Sequence, residues 1–167
     1  MRLSGITPES IVDGPGLRYV VFTQGCPHGC PACHNPESWD FNAGKEFTVK
    51  EIIRLMKKQK KTIQGITFSG GEPFTQAGEL AVIAQEAHKI GWDVVTYTGY
   101  TYEQLLELGD NEKDIIDLLA ASDILIDGKY IDKIKTINLP FRGSLNQRLI
   151  DMNKTREKGH TVLWKNT

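Results

Sequence analysis

Residues 17–35 read LRYVVFTQGCPHGCPACHN, and this stretch decides the fold class because it joins a strand to a loop of cysteines. Residues 17–23 are rich in β-branched and aromatic side chains, which is typical of a buried strand. Glycines and prolines then mark a loop, in which Cys26, Cys30 and Cys33 stand at C-x3-C-x2-C spacing. The stretch therefore predicts a buried strand that delivers three thiols to one end of a sheet.

Outside this stretch, short apolar segments alternate with helical segments, which predicts βαβ units and an α/β fold with parallel strands. Capping boxes predict two helix starts, at Thr48 with Glu51 and at Thr101 with Gln104. We find no internal repeat or linker, so we expect a single domain over residues 1–167. The predicted strands cover residues 17–23, 65–69, 92–98 and 124–127, and residues 161–164 are one more candidate.

The composition is that of a globular protein and excludes several classes of function. Twenty Lys and Arg against 21 Asp and Glu give a net charge of -1, so no broad positive field would attract nucleic acid. The first ten residues lack the apolar core of a signal peptide, and no apolar run reaches membrane-spanning length. We therefore expect a cytoplasmic protein without a nucleic-acid or membrane partner.

Three polar motifs follow predicted strands. Residues 69–73 read SGGEP, residues 98–100 read TGY and residues 127–129 read DGK. The carboxyl ends of parallel strands share one edge of a sheet, where α/β proteins bind ligands. With the cysteine loop, four separated motifs are expected to form one site.

All three cysteines of the chain lie within residues 26–33. An odd number at this spacing suits metal ligation better than disulfide pairing. A four-iron, four-sulfur cluster held by three cysteines has one iron free to bind a substrate. The alternative is a Cys3His zinc site with His28 or His34 as its fourth ligand, because zinc accepts thiolate and imidazole. Spacing alone leaves both metals open.

The cysteine loop after the first strand, together with GGE after the second, resembles the radical S-adenosylmethionine (SAM) superfamily. The resemblance implies an oxidoreductase in which Cys26, Cys30 and Cys33 bind one 4Fe-4S cluster and the open iron holds SAM. It also implies reductive cleavage of SAM to a 5'-deoxyadenosyl radical. The SAM contacts that it implies are Ala32, Cys33, His34, Gly70, Gly71 and Glu72, with the last three at the methionine amino group.

The segments DGPGLR before the first strand and DGK after the fourth resemble the glycyl radical enzyme activases of that superfamily. This resemblance places Asp127 and Lys129 near the ribose or carboxylate of SAM. It places Asp13 and Arg18 near the glycine loop of a partner, from which hydrogen is taken. Many members of the superfamily carry an aromatic residue after the third cysteine, where this chain has His34. The stretch Cys33-His34-Asn35 is similar to the corresponding stretch of activases of the pyruvate formate-lyase type.

Residues 97–100, 125–130 and 141–148 (YTGY, LIDGKY and FRGSLNQR) are similar to activases that serve an anaerobic ribonucleotide reductase. The implied partners are the large subunit of anaerobic ribonucleoside-triphosphate reductase and a low-potential electron donor such as flavodoxin or ferredoxin. Pyruvate formate-lyase is the alternative target. A chain this short supplies only part of a barrel wall, so we expect an incomplete (open) parallel α/β barrel of the radical SAM type, completed by the partner.

Overall fold

The computed structural model describes residues 1–165, and its centre is a seven-stranded sheet. The strands are β1 (Arg2–Ser10), β2 (Arg18–Thr23), β3 (Lys45–Glu46), β4 (Gly65–Gly70), β5 (Asp93–Tyr97), β6 (Ile124–Asp127) and β7 (Arg148–Asp151). Their order across the sheet is β3-β1-β2-β4-β5-β6-β7. The four strands predicted before residue 130 are thus the four central ones.

The central strands β2, β4, β5 and β6 are parallel, as predicted, whereas β1, β3 and β7 are antiparallel to their neighbours. The predicted parallel arrangement is therefore present in the four central strands, and the sheet as a whole is mixed. The connection from β1 to β2 is too short for a crossover helix, so the two strands form a hairpin. In register, Thr23 pairs with Gly70, which brings the ends of β2 and β4 side by side.

The helices follow the predicted capping signals. Thr48 and Thr101 each accept a hydrogen bond from the backbone of the residue three positions on, and both capping boxes are complete. No helix within residues 1–165 is long and apolar enough to cross a membrane. The helices are α1 (Val49–Lys57), α2 (Ala77–Lys89), α3 (Tyr102–Gly109), α4 (Lys113–Ala121) and α5 (Met152–Lys158).

The helices cover one face of the sheet. The larger buried core joins strand residues such as Ile66 to helix residues such as Leu80 and Leu118. A second, smaller core on the other face contains Val95 and Ile126 from the strands and no residue from a helix of the described chain. The second face is therefore covered by loops, which is where a ligand or partner can enter.

Residues 161–164 do not form the additional strand that the sequence predicts. Within the described residues, this segment forms only an isolated bridge, between Ile150 and Leu163. The last strand is instead β7, which pairs with β6 from Asp127 to Ile124. A short strand with polar ends carries a weak pattern, so tertiary pairing decided the outcome.

Candidate functional site

The cysteine loop leaves the end of β2 and is fixed at its base by backbone hydrogen bonds. The amide of Gly25 donates to Ser38 O at 2.7 Å, and the amide of Cys26 donates to Trp39 O at 3.2 Å. Gly25 has φ of 103°, a conformation that side-chain-bearing residues rarely adopt. The base of the loop is thus rigid, and its cysteines project beyond the sheet edge.

The three thiols are close enough to influence one another. Burial is the largest cause that raises the pKa of the Cys26 thiol, and negative charge on Glu72, Cys30 and Cys33 raises it further. All three cysteines are free thiols of intermediate exposure. Metal binding would have to displace the Cys26 proton, because thiolates are the form that binds metals.

These residues fit a 4Fe-4S cluster. Three partly exposed, unpaired thiols share one loop, and Ala32 and Gly29 both take positive φ of 59°, which turns the loop tightly between the cysteines. Such a donor set is that of a cluster with one open iron. Among residues 1–165 no three His, Cys, Asp or Glu side chains are grouped to hold a single metal ion.

Neither histidine of the zinc alternative is grouped with the thiols. His28 Nε2 lies 2.6 Å from Glu72 Oε1, and the ring of His34 packs on Tyr130 with centroids 4.8 Å apart. The arrangement therefore gives the Cys3His zinc site no support.

The end of β4 lies directly beneath the cysteine loop. The amide of Glu72 donates to Gly25 O at 2.8 Å, and that of Gly71 donates to Thr23 O at 2.7 Å. A methyl group on Gly71 would lie 2.3 Å from Gly25 O, so this approach requires glycine. The structure thus brings Gly70, Gly71 and Glu72 next to the cysteines, as the strand-end argument predicts.

The Glu72 side chain, however, is completely buried, and its carboxylate is already engaged. Its four contacts in the described chain are Oε1 with His28 Nε2, Thr98 Oγ1 at 2.9 Å and Gly99 N at 2.8 Å, and Oε2 with Phe74 N at 3.0 Å. The carboxylate joins the ends of β4 and β5 and the cysteine loop. Its visible role is therefore to organise the edge of the sheet.

Asp127 and Lys129 lie in different environments. Asp127 is 1% exposed, and its carboxylate accepts hydrogen bonds from the Arg148 guanidinium and from Tyr102 N. Lys129 is exposed and lines a cavity of about 360 Å³ that includes Cys30. Lys129 is thus the member of the pair that shares open space with the cysteine loop.

Arg18 is not available to a partner. It is fully buried, and its guanidinium donates to Thr67 Oγ1, Pro15 O, Ile66 O and Asp93 Oδ1. Arg18 pairs with Gly65 at the amino ends of the parallel strands, opposite to the cysteine edge. The prediction that Arg18 contacts the partner's glycine loop is therefore not met by the structure, because register and burial place it elsewhere.

Asp13 lies in the β1–β2 loop and is half-buried. Its carboxylate accepts a hydrogen bond from Ser10 Oγ, and its carbonyl accepts one from Thr67 Oγ1 at 2.8 Å. Ile11, two residues before Asp13, is exposed. The Asp13 loop thus runs across the helix-free face of the sheet.

A larger cavity, of about 700 Å³, opens on this same face. It is lined by Val12 from the β1–β2 loop, by His34 from the cysteine loop, and by residues of the segment before β7, including Ile137 and Phe141. His34 and Ala32 are both exposed. This cavity is the largest space that adjoins the predicted SAM contacts among those described.

Sequence reasoning placed TGY at the site and considered His28 only as a zinc ligand, so it missed the contacts that Thr98 and His28 make with Glu72. Both contact Glu72, and the sequence signal for each was its place inside a motif: His28 lies between two cysteines, and Thr98 begins TGY. Nothing in the spacing showed that Glu72 would be their common acceptor.

Comparisons with known proteins show the family of the chain. Residues 12–150 match the family described as "4Fe-4S single cluster domain". The anaerobic ribonucleoside-triphosphate reductase-activating protein of Salmonella typhimurium is 35% identical over 154 residues, which cover 88% of this chain and 96% of that protein. Proteins of the same name are 35% identical in Escherichia coli (strain K12), covering 84% of this chain and 92% of theirs, and 33% identical in Enterobacteria phage T4, covering 89% and 93%.

Among solved structures, QueE from Escherichia coli aligns with a TM-score of 0.47 at 17% identity, over 60% of this chain and 53% of that one. The family match over most of the chain defines the class of the protein, an iron-sulfur protein with a single 4Fe-4S cluster domain. Within that class, the chain belongs to the family of anaerobic ribonucleoside-triphosphate reductase-activating proteins.

Proposed function

We propose that the protein cleaves SAM reductively at a 4Fe-4S cluster and uses the resulting radical to take hydrogen from a backbone glycine of anaerobic ribonucleoside-triphosphate reductase. The observation that supports this most strongly is the placement of three free cysteines beside the Gly70–Gly71 strand end, within a chain of the activating-protein family. When bound, the cluster and SAM supply the electron and the 5'-deoxyadenosyl group.

The chain's own residues hold and orient these groups. Cys26, Cys30 and Cys33 bind three irons, and the two glycines at the end of β4 let the backbone approach the methionine amino group. Ala32 and His34 flank the adenosine portion. Lys129, which is exposed beside Cys30, pairs with the methionine carboxylate.

Asp127 acts indirectly in this proposal. Because Arg148 and the Tyr102 amide occupy its carboxylate, Asp127 fixes the end of β6 and so positions Lys129. We expect the ribose contact implied by the family resemblance to form only if Asp127 exchanges one of these partners.

The partner's glycine segment enters the 700 Å³ cavity on the helix-free face. Exposed apolar residues lie beside its opening, with Val12 at 70% and Ile137 at 99% exposure. Asp13 directly follows Val12 in the sequence, and we expect its carboxylate to orient a backbone amide of the glycine segment. We propose that the sheet is one part of an open barrel wall that this segment completes.

Anaerobic reconstitution tests the proposal. The protein is loaded with iron and sulfide, reduced with dithionite and given SAM, and methionine and 5'-deoxyadenosine are quantified. We expect both products in equal amounts, together with about four irons per chain. Stoichiometric zinc without cleavage would instead establish the zinc site.

The target is tested by electron paramagnetic resonance of the partner. Addition of the large reductase subunit should give a glycyl radical signal on that subunit. A signal on pyruvate formate-lyase and none on the reductase would identify the alternative target. Purified flavodoxin and ferredoxin, each in place of dithionite, identify the electron donor. Three free cysteines are also what we expect of a protein in a reducing cytoplasm.

Replacement of Cys30 by Ser tests the ligand assignment. The hydroxyl is a poor iron ligand, so the variant should lose cluster binding and cleavage by at least about a hundred-fold. Near-normal cleavage by Cys30→Ser would show that Cys30 is not a ligand.

A further inference from the structure

His28 lies between Cys26 and Cys30, yet its side chain is only 6% exposed. The rest of the loop is more open, since Pro27, Gly29 and Pro31 are all exposed. A loop histidine flanked by exposed residues is buried only if something holds it in place. The structure shows two such contacts, one polar and one steric.

The polar contact is with Glu72. Nε2 of His28 lies 2.6 Å from Oε1 of that buried carboxylate, a short distance for a nitrogen–oxygen hydrogen bond. Thr98 Oγ1 and Gly99 N donate to the same oxygen. His28 thus shares one acceptor with the end of β5, and Glu72 itself belongs to the end of β4.

The steric contact is with the TGY motif. The His28 ring meets Tyr100 edge to face, with centroids 4.5 Å apart and planes at 76°. A methyl group on Gly99 would lie 2.4 Å from His28 Cδ2, so only glycine accommodates the ring at that position. This packing explains the glycine of TGY, which the proposed function leaves without a role.

His28 is the main tie between the middle of the cysteine loop and the sheet. Within the described residues, the hydrogen bonds that residues 27–32 make to the rest of the protein run through the His28 side chain. The nearby bond from Cys33 N to Cys30 O stays inside the loop. Loss of His28 would therefore free the loop between its fixed base and Asn35.

We infer that His28 is a positioning residue that fixes the cysteine loop relative to Glu72 and the Gly70–Gly71 backbone. This inference rests on the proposed function, in which SAM must reach the open iron and that backbone at the same time. The hydrogen bond from His28 to Glu72 holds the cysteine loop against the end of β4. It thereby sets the distance between the open iron and the Gly70–Gly71 backbone. The role requires only an N–H donor on Nε2, and the neutral imidazole provides it.

Two variants of His28 test the inference, and His88→Leu serves as the matched control. His28→Leu removes the donor, whereas His28→Gln keeps an N–H donor at nearly the same reach. His88 also bonds to a carboxylate, Asp123 at 2.8 Å, but on a helix far along the chain from the cysteine loop. His88→Leu therefore measures the general effect of removing a histidine–carboxylate hydrogen bond from the protein.

The first measurement uses the cluster-free protein and is independent of SAM chemistry. Hydrogen–deuterium exchange of residues 26–33 and of the Gly99 amide should speed up about ten-fold in His28→Leu. In His28→Gln and His88→Leu it should stay within about two-fold of the unchanged protein. Equal exchange in all four proteins would overturn the tethering role.

The second measurement uses the reconstituted protein. His28→Leu should keep a reducible cluster but bind SAM about ten-fold more weakly, and SAM should shift the electron paramagnetic resonance spectrum less than in the unchanged protein. His28→Gln should restore both readouts. SAM affinity unaffected in His28→Leu would overturn the inference while leaving the proposed function intact.

Failure of the proposed function can be distinguished from failure of the inference about His28. If the unchanged protein binds neither cluster nor SAM, the proposed function fails and the inferred role in SAM positioning fails with it. If His28→Leu cannot be purified folded, the inference is decided by His28→Gln, which must then match the unchanged protein in SAM affinity. A ten-fold loss in His28→Gln would contradict the donor role.

Discussion

At the scale of single residues, Glu72 shows how a buried charge is used. Its carboxylate has no exposed surface, so it lost its hydration on folding, which is costly unless hydrogen bonds replace the water. Four donors replace it, from the cysteine loop, from the end of β5 and from the turn that follows Glu72. The carboxylate is thus an acceptor that only donors surround.

Glu72→Gln should therefore destabilise the protein although the side chains have the same shape. The new NH2 group would face N–H and O–H donors, and an unsatisfied buried group costs about 1–3 kcal/mol. We expect a loss of about 2–3 kcal/mol in urea unfolding of the cluster-free protein, followed by circular dichroism.

Glu51→Gln is the control for that measurement, because Glu51 also accepts a backbone hydrogen bond but lies at the exposed start of α1. Its expected cost is below about 0.5 kcal/mol, since glutamine also serves in a capping box. Equal losses in the two variants would show that the Glu72 network does not stabilise the fold.

Arg148 supports a second buried carboxylate. Its guanidinium bonds to Asp127, which is 1% exposed, and to Glu103 on α3. Arg148→Gln should cost about 2–3 kcal/mol at neutral pH, less than for a fully buried pair because Arg148 is partly exposed. Urea unfolding at pH 7 measures this loss.

The contact between Arg148 and Glu103 predicts that the stability of the fold depends on pH. The hydrogen bond from Arg148 is the largest cause that lowers the pKa of Glu103. A folded-state pKa below the unfolded value gives stability that is present at neutral pH and is lost as pH falls from about 5 through the folded pKa. The stability difference between the unchanged protein and Arg148→Gln should therefore shrink between pH 7 and pH 3, and a constant difference would contradict the assignment.

At the scale of secondary-structure elements, the close approach of β4 to the cysteine loop depends on Gly71. A methyl group there meets the Gly25 carbonyl at 2.3 Å and Ser38 O at 3.0 Å, and neither backbone atom can move freely. Gly71→Ala should therefore cost about 1–3 kcal/mol and lower iron incorporation.

Gly5→Ala provides the matched control, because Gly5 lies in β1 and a methyl group there meets no atom within 4 Å. Its unfolding free energy and iron content should stay close to those of the unchanged protein. Iron content of Gly71→Ala equal to that of Gly5→Ala would show that the loop tolerates displacement.

The elements that could be predicted from sequence are those whose signals are local. Thr48 and Thr101 begin helices through hydrogen bonds within four residues, and the buried parallel strands are apolar along their length. β1 was missed because it contains Gly5 and Pro8, which are uncommon inside strands, and because it is stabilised by its antiparallel pairing with β2 and β3. A strand that depends on its neighbours in this way carries only a weak pattern of its own.

The residues of the site also divide into those with a local sequence signal and those whose position depends on tertiary contacts. The parallel-sheet rule correctly placed the cysteine loop and the Gly70–Gly71 turn together, since both follow strand ends. The rule could not show that Arg18 would be buried at the opposite edge, or that His28 would turn inward. Burial of a polar side chain depends on partners from several elements, and spacing does not reveal them.

At the scale of the whole molecule, the sheet has one face closed by helices and one face closed only by loops. The loop-covered face contains the largest described cavity and two strongly exposed apolar side chains, Val12 and Ile137. A partner segment bound there would remove these side chains from water, which favours association. We therefore expect the partner to bind the face that adjoins the cysteines.

Ile137→Asp tests this direction. Ile137 is 99% exposed, so the substitution should leave the unfolding temperature within about 2 °C of the unchanged protein. A charge buried without a partner in a complex is unfavourable, so binding to the large reductase subunit should weaken at least about ten-fold and the glycyl radical yield should fall with it. Val82→Asp, at an exposed apolar position on α2, should change neither quantity. Loss of binding in Val82→Asp but not in Ile137→Asp would place the partner on the helical face instead.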